Sequence, residues 1–151
     1  GIGGVAGHSF KNFPPKHSGY KHRLQLVQNY SAVTAACLVV KKEIFYQVKG
    51  FDDENLKVAF NDVDFCLRVA LAGYRNLYTP YCELYHHESL SRGLDTSGEK
   101  AKRFEKEVNY MKQKWAHIIH NDPYYNPNLS LKHGFSLDIN RGKNWPWAEN
   151  E

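Results

Sequence analysis

Residues 62–72 constrain the fold most, because this segment has the beginning, the apolar face and the end of a helix. Asn61 is a favourable N-cap, and Asp62 and Asp64 lie in the first turn, where the helix dipole favours negative charge. Gly73 suits the position after the last turn. Apolar residues recur at three- and four-residue spacing, which predicts one face against a core: Val63, Cys66, Leu67, Ala70 and Leu71.

Asp62 and Asp64 are expected to lie off this face, near the open end of the helix, and two interpretations stay open for them. As capping and dipole residues they are ordinary solvated groups, which is the commoner case for such a pair. One short strand later, however, the chain carries the adjacent histidines His86 and His87. Two carboxylates followed at this distance by two imidazoles are also typical of a functional site. Spacing alone does not decide between a capping role and a site.

Length and composition indicate a single domain with a core, since the chain has 151 residues, of which 42% are hydrophobic. No run approaches the roughly 18 apolar residues of a membrane span, and no signal segment begins the chain, so we expect a cytoplasmic protein. Its net charge of +4 is concentrated on residues 99–114. That segment predicts a solvated helix face rather than a nucleic-acid footprint, because no arginine stripe with stacking aromatics accompanies it.

The three cysteines lie far apart in apolar or aromatic surroundings, at positions 37, 66 and 82. This pattern predicts buried free thiols in a reducing compartment. The sequence contains no CxxC pair, so a structural zinc site is not expected.

Further elements follow from local patterns and give an α/β class with mixed short strands and packing helices. Phe104, Val108, Met111 and Trp115 are expected to pack the long helix on the core, and His117 and His120 to lie on the surface. We predict a buried strand at 32–40, a short helix at 41–48 closed by Gly50, strands at 75–78 and 82–85, a helix at 99–115 and an aromatic loop at 121–128.

Seven segments in order resemble the C-terminal half of a bacterial family-2 glycosyltransferase with the GT-A fold. They are residues 32–40, 50–52, 61–68, 72–75, 78–80, 85–93 and 121–127. The resemblance covers residues 1–131 and leaves 132–151 as an irregular tail. It implies an incomplete GT-A fold, namely the acceptor-side portion.

The resemblance implies an enzyme that moves a sugar from a nucleotide-sugar donor to a glycan acceptor hydroxyl, with inversion, in cell-surface polysaccharide synthesis. In this family the general base matches Asp62, whose carboxylate a helix N-terminus would keep ionised. Asn61 departs from the glutamate that is frequent before the base, but it remains a candidate substrate contact. Asp64 is expected to orient the helix or an acceptor.

By position in the family, His86 and then His87 match ligands of a divalent metal, Mn²⁺ or Mg²⁺, that bridges the diphosphate. Without the resemblance such a pair is more often structural or exposed. Ser91 and Arg92 follow in a loop that could close over the diphosphate, because arginine suits bidentate phosphate contacts. An ordinary exposed loop arginine is the alternative.

The family's metal-binding Asp-x-Asp motif has a match only at residues 62–64, in a different context. We therefore expect the nucleotide-binding N-terminal half to be missing, the chain alone not to turn over, and the parent enzyme to work at the inner face of the membrane. Loss of that half would expose residues 32–40 unless self-association covers them.

Two other functions remain open. One is a non-catalytic glycan-binding or interaction module, whose stacking faces would be Trp115, Tyr124, Tyr125, Trp145 and Trp147. The other is metal-dependent hydrolysis, which is weaker because no HExxH-type arrangement occurs.

Overall fold

Helices and one small sheet make up the regular structure of the computed structural model, which describes residues 3–14, 16–85 and 98–141. Residues Tyr20–Gln25 form 3₁₀ turns interrupted by a kink at Lys21 and His22, and a short 3₁₀ segment spans Ala35–Cys37. In chain order the other elements are β1 (Gln28–Tyr30), α1 (Lys42–Gln47), α2 (Asn61–Leu71), β2 (Asn76–Tyr78), α3 (Gly98–Lys114) and α4 (Ala116–His120). This mixture of helices and short strands agrees with the general α/β class; an incomplete GT-A fold stays a prediction.

The sheet consists of β1 and β2, paired antiparallel with Gln28 opposite Tyr78 and Tyr30 opposite Asn76. The prediction of a strand at 75–78 is confirmed by β2. The prediction of a second strand at 82–85 is wrong, because this segment is exposed and pairs with no described strand.

Helix α2 ends as its sequence predicts. Gly73 has a φ of 89° and donates its N–H to the Ala70 carbonyl at 3.0 Å. Tyr74 donates to the Val69 carbonyl at 3.2 Å, which completes a Schellman motif. Only a residue that tolerates positive φ can follow the last turn in this way, so Gly73 fixes where the helix stops.

The beginning of α2 differs from the expected cap. Asn61 is already the first helical residue, and Phe60 occupies the N-cap with a φ of 61° and no capping side chain. The buried carboxylate of Glu107 on α3 accepts hydrogen bonds from the backbone of Val58 and Ala59 at 3.2 and 2.8 Å. The prediction that Asn61 is the N-cap is therefore wrong, because a distant acid fixes the approach of the chain.

Helix α2 lies between two apolar clusters and contributes to both. Leu67 belongs to the cluster formed with α3 and α4, whose buried members are Val5, Leu56, Leu67, Met111, Trp115 and Ile119. The second cluster packs beneath α1 and contains Val48, Phe65, Cys66 and Val69. Because α2 is buried on two sides, its orientation is fixed, and so is the position of the side chains in its first turn.

Asp64 links these clusters and is completely buried. Its carboxylate accepts hydrogen bonds from Arg68 Nε at 2.7 Å and from Trp115 Nε1 at 2.8 Å, and Lys114 Nζ lies 2.8 Å from Oδ1. We call Asp64, Arg68, Lys114 and Trp115 the Asp64 junction. The expectation that Asp64 lies at an open helix end is wrong, because α3 covers this side of the first turn.

Residues 32–40 form no strand, contrary to prediction. The 3₁₀ segment Ala35–Cys37 interrupts them, and Val39 is 95% exposed. Thr34 accepts a hydrogen bond from the Ala36 N–H, and Asp62 accepts one from the Ala35 N–H. These two side-chain bonds, one from within the run and one from α2, occupy N–H groups that a strand would use for ladder bonds. Four members of the run still pack against the second cluster: Ala32, Val33, Leu38 and Val40.

The helices at 41–48 and 99–115 are confirmed as α1 and α3. Met111 and Trp115 are buried as expected, whereas Phe104 is 40% exposed. His117 and His120 lie on the surface of α4, also as expected.

Of the three cysteines, Cys66 is buried, but Cys37 and Cys82 are exposed, so the expectation of three buried thiols is wrong for these two. Cys37 lies in the 3₁₀ segment where a buried strand was expected.

Within residues 3–14, 16–85 and 98–141, no helix is both long and apolar enough to cross a membrane.

We predict that Asp64→Ala lowers the free energy of unfolding by about 3 kcal/mol, because it removes the shared partner of two cations and an indole N–H. Arg68 and Lys114 keep some access to water, with side chains 20% and 31% exposed, which limits the loss. Urea unfolding followed by circular dichroism measures the change. Asp53→Ala, at an exposed acid in the turn before α2, is the matched control, with an expected change within about 0.5 kcal/mol. Equal effects of the two variants would contradict the junction.

Candidate functional site

Asp62 lies in the first turn of α2, half-buried, with both carboxylate oxygens held by backbone amides. Oδ2 accepts the N–H of Ala35 at 3.0 Å, and Oδ1 accepts the N–H of Val63 at 2.8 Å. One donor comes from the helix itself and the other from the 3₁₀ segment that crosses its end. The carboxylate is therefore oriented by rigid backbone rather than by another side chain.

The Asp62 carboxylate can still accept a further hydrogen bond or a proton, because each of its oxygens has a second lone pair. A half-buried carboxylate with fixed orientation and free lone pairs can accept a proton from a bound hydroxyl group. Asp64, two residues later, has no such freedom, since it is enclosed in the Asp64 junction. Its contacts are those of a residue that orients the helix, which is one of the two roles that the sequence left open for it.

Cys66 lies one turn after Asp62 and is completely buried, with its thiol 3.5 Å from the Val33 carbonyl. Burial raises the pKa of this thiol to about 11; the hydrogen bond to Val33 opposes the rise, and the negative charge of Asp62 adds to it. A thiol in this state is protonated at neutral pH and is a poor nucleophile. At this helix end the candidate reactive group is therefore the carboxylate of Asp62 rather than the thiol of Cys66.

The remaining predicted site residues divide into two groups. Asn61 is half-buried beside Asp62 at the start of α2, so these two share one helix end. His86, His87, Ser91 and Arg92 lie outside the described residues, and their roles stay predictions.

A metal at this helix end also stays a prediction. Among the described parts of the chain, no group of three or more His, Cys, Asp or Glu side chains is arranged to hold a metal ion. The two predicted histidine ligands, His86 and His87, lie outside the described residues. We therefore assign no metal contact to Asp62.

A cleft of about 130 Å³ opens beside α2, between β1 and the loop after α4. We call it the aromatic cleft. Its walls come from five parts of the chain: Val5, Ala6, Gly7 and Ser9; Tyr30, Ser31 and Ala32; Val63 and Leu67; Met111, Ile118 and Ile119; and Asp122, Tyr124, Tyr125, Leu131 and Phe135. The aromatic loop at 121–128 thus packs on the body of the protein, as it must to be ordered.

Polar groups of the cleft are fixed by a contact between distant parts of the chain. Ser31 Oγ donates to Asp122 Oδ1 at 2.5 Å, and the backbone N–H of Tyr124 donates to the same oxygen at 2.8 Å. The hydroxyl group of Tyr125 lies 2.8 Å from the Ser130 carbonyl and 2.6 Å from that of Gly134, which folds the loop back on itself. The sequence did not predict Ser31 or Asp122 as site residues, although Asp122 lies in the turn-rich aromatic segment 121–128 and in the last segment of the family resemblance.

Comparison with known proteins finds partial relatives. The chain is 57% identical over 132 residues to an uncharacterized protein of Sinorhizobium fredii, covering 87% of the chain and 14% of that protein. It is 35% identical over 133 residues to the O-antigen biosynthesis protein RfbC of Myxococcus xanthus, covering 87% of the chain and 10% of RfbC.

A shorter match is to the N-acetylglucosaminyl-diphospho-decaprenol L-rhamnosyltransferase of Mycobacterium tuberculosis, at 36% identity over 69 residues. It covers 46% of the chain and 22% of the enzyme. No family model and no solved structure matches the chain. The chain thus spans less than a quarter of the length of each of these relatives.

We predict that Cys66 makes stability fall as the pH rises through the alkaline range. Its pKa is raised from 9.0 to about 11 in the folded chain, so the neutral thiol stabilises the fold below pH 9, and this contribution is lost as the pH approaches 11. The loss amounts to about 2 kcal/mol. Urea unfolding of the reduced protein between pH 8 and 11 measures it.

The matched variant is Cys66→Ala, which lacks the titrating group while the tyrosines and lysines titrate as before. We expect a shallower decline for this variant than for the wild type. Parallel declines would contradict a buried, protonated thiol beside Asp62.

Proposed function

We propose that this chain is the acceptor-side part of an inverting family-2 glycosyltransferase, which transfers a sugar from a nucleotide-sugar donor to a glycan hydroxyl in cell-surface polysaccharide synthesis. Relatives named for O-antigen biosynthesis and for rhamnosyl transfer support glycosyl transfer in general. The observation that carries the proposal is the Asp62 carboxylate, held by two backbone amides at a half-buried helix end.

In the proposed reaction Asp62 is the general base. The acceptor hydroxyl oxygen attacks the anomeric carbon and gives its proton to a free lone pair of the Asp62 carboxylate. As the new carbon–oxygen bond forms, the bond to the nucleoside diphosphate breaks and its electron pair leaves with the diphosphate. Attack on the face opposite the leaving group inverts the configuration at that carbon.

The contacts of Asp62 suit a general base because they fix the carboxylate and leave a second lone pair on each oxygen to accept a proton. The amides of Ala35 and Val63 fix the carboxylate plane before the acceptor arrives, so little reorganisation is needed during the transfer. General-base assistance of this kind typically contributes a rate factor of about 10²–10⁴.

The donor side of the reaction is proposed to depend on groups beyond the described residues. A bound Mn²⁺ or Mg²⁺ would neutralise charge on the departing diphosphate. His86 and His87 are its proposed ligands, and Ser91 and Arg92 are proposed to close over the diphosphate. We further propose that the nucleotide-binding half belongs to the longer protein and that this chain alone does not turn over.

The test is transfer by the full-length protein, assayed with a panel of nucleotide sugars. We predict that Asp62→Asn lowers kcat by about 10²–10⁴-fold, because the amide keeps the shape of the carboxylate but cannot accept the proton. The free energy of unfolding should fall by about 1 kcal/mol, because the amide nitrogen of Asn cannot accept one of the two backbone N–H bonds that Asp62 holds.

Asp53→Asn is the control, because it makes the same chemical change at an exposed acid nine residues earlier. We expect it to keep wild-type kcat. Transfer by Asp62→Asn at the wild-type rate, with the fold intact, would rule out Asp62 as the base.

A further inference from the structure

We infer that the aromatic cleft binds a sugar ring of the acceptor, an inference that rests on the proposed function and names where its substrate lies. The cleft, with a volume of about 130 Å³, is larger than a single ion or water molecule needs, so it can take one side of a sugar ring against its wall. A sugar ring needs apolar surface for its C–H face and polar groups for its hydroxyls. The cleft offers both.

Asp122 supplies the polar group. Its Oδ1 is occupied by Ser31 Oγ and by the Tyr124 N–H, which lock the side chain in one orientation. Among the described residues, no side chain or amide donates to Oδ2. Because Asp122 is half-buried on the cleft wall, this oxygen is a fixed acceptor for a sugar hydroxyl.

Tyr124 supplies the apolar surface. It lines the cleft two residues after Asp122, is 36% exposed, and its ring stacks on no other ring in the part of the chain that the structure describes. By contrast, Phe135 is already stacked by Phe10 and Tyr20, at 4.9 and 5.2 Å between ring centroids. Of these two rings, Tyr124 is the one with surface left for a ligand.

The position of the cleft connects it to Asp62. Val63 and Ala32 line the cleft, and the Val63 N–H is one of the two amides that hold the Asp62 carboxylate. The cleft thus lies next to the first turn of α2, which carries the proposed base. Because the chain is proposed to be the acceptor-side part of the enzyme, we assign the cleft to the acceptor.

The test is a titration of the ¹⁵N-labelled chain with the methyl glycosides of glucose, N-acetylglucosamine and rhamnose, followed by amide chemical shifts. We expect at least one of these probes to shift the amides of Ser31 and Tyr124 at millimolar concentration. Tyr124→Ala and Asp122→Asn should each weaken that binding about five- to tenfold, and Tyr46→Ala, which removes a 65% exposed tyrosine from α1, should leave it unchanged.

Several results would overturn the inference: no shift with any probe, shifts away from the cleft, or equal affinity in wild type and Tyr124→Ala. Asp62→Asn separates this inference from the proposed function. Unchanged probe binding by that variant, together with lost transfer in the full-length protein, supports both. Unchanged binding together with unchanged transfer rejects the proposed base and leaves the sugar site standing.

Discussion

The buried carboxylate of Asp64 is the interaction on which the rest of this structure depends. Removing a carboxylate from water costs several kcal/mol, and the fold offsets that cost only by bringing donors from two helices to one point. Arg68 comes from the same helix, whereas Lys114 and Trp115 come from the end of α3. Arg68 also donates to the carbonyls of Val48 and Gly50 after α1, so the junction ties three helices together.

This constraint explains how two acids in one helical turn come to have different tasks. Successive residues of a helix are separated by about 100°, so side chains two positions apart do not share a face. With Asp64 fixed in the interior, Asp62 must lie toward the opposite side, where the amides of Ala35 and Val63 hold it. The buried acid sets the orientation of the helix, and the half-buried acid carries the proposed chemistry.

Local signals predicted much of the fold. The apolar period and Gly73 predicted α2, and Gly50 predicted the end of α1, because each of these acts within one or two helical turns. The errors arose where distant residues intervene. Glu107 displaced the expected cap at Asn61, and Asp62 bound the backbone of the run that was expected to be a strand.

The candidate site was predictable to the same degree. Asp62 could be singled out because it lies in a recognisable local motif. The contact between Ser31 and Asp122 joins residues 91 positions apart, and neither residue type is unusual in its own segment. Only the packing of the loop after α4 against β1 brings them together, so the aromatic cleft could not be found from the sequence.

A double-mutant cycle between Asp64→Asn and Trp115→Phe tests most directly whether the Asp64 junction couples α2 to α3. The free energy of unfolding is measured by urea for the wild type, the two single variants and the double variant. If the indole N–H and the buried carboxylate stabilise the fold together, the two losses are not additive, with a coupling energy of about 1–3 kcal/mol. Additive losses would show that the two helices pack independently of Asp64, and would contradict the role given to it.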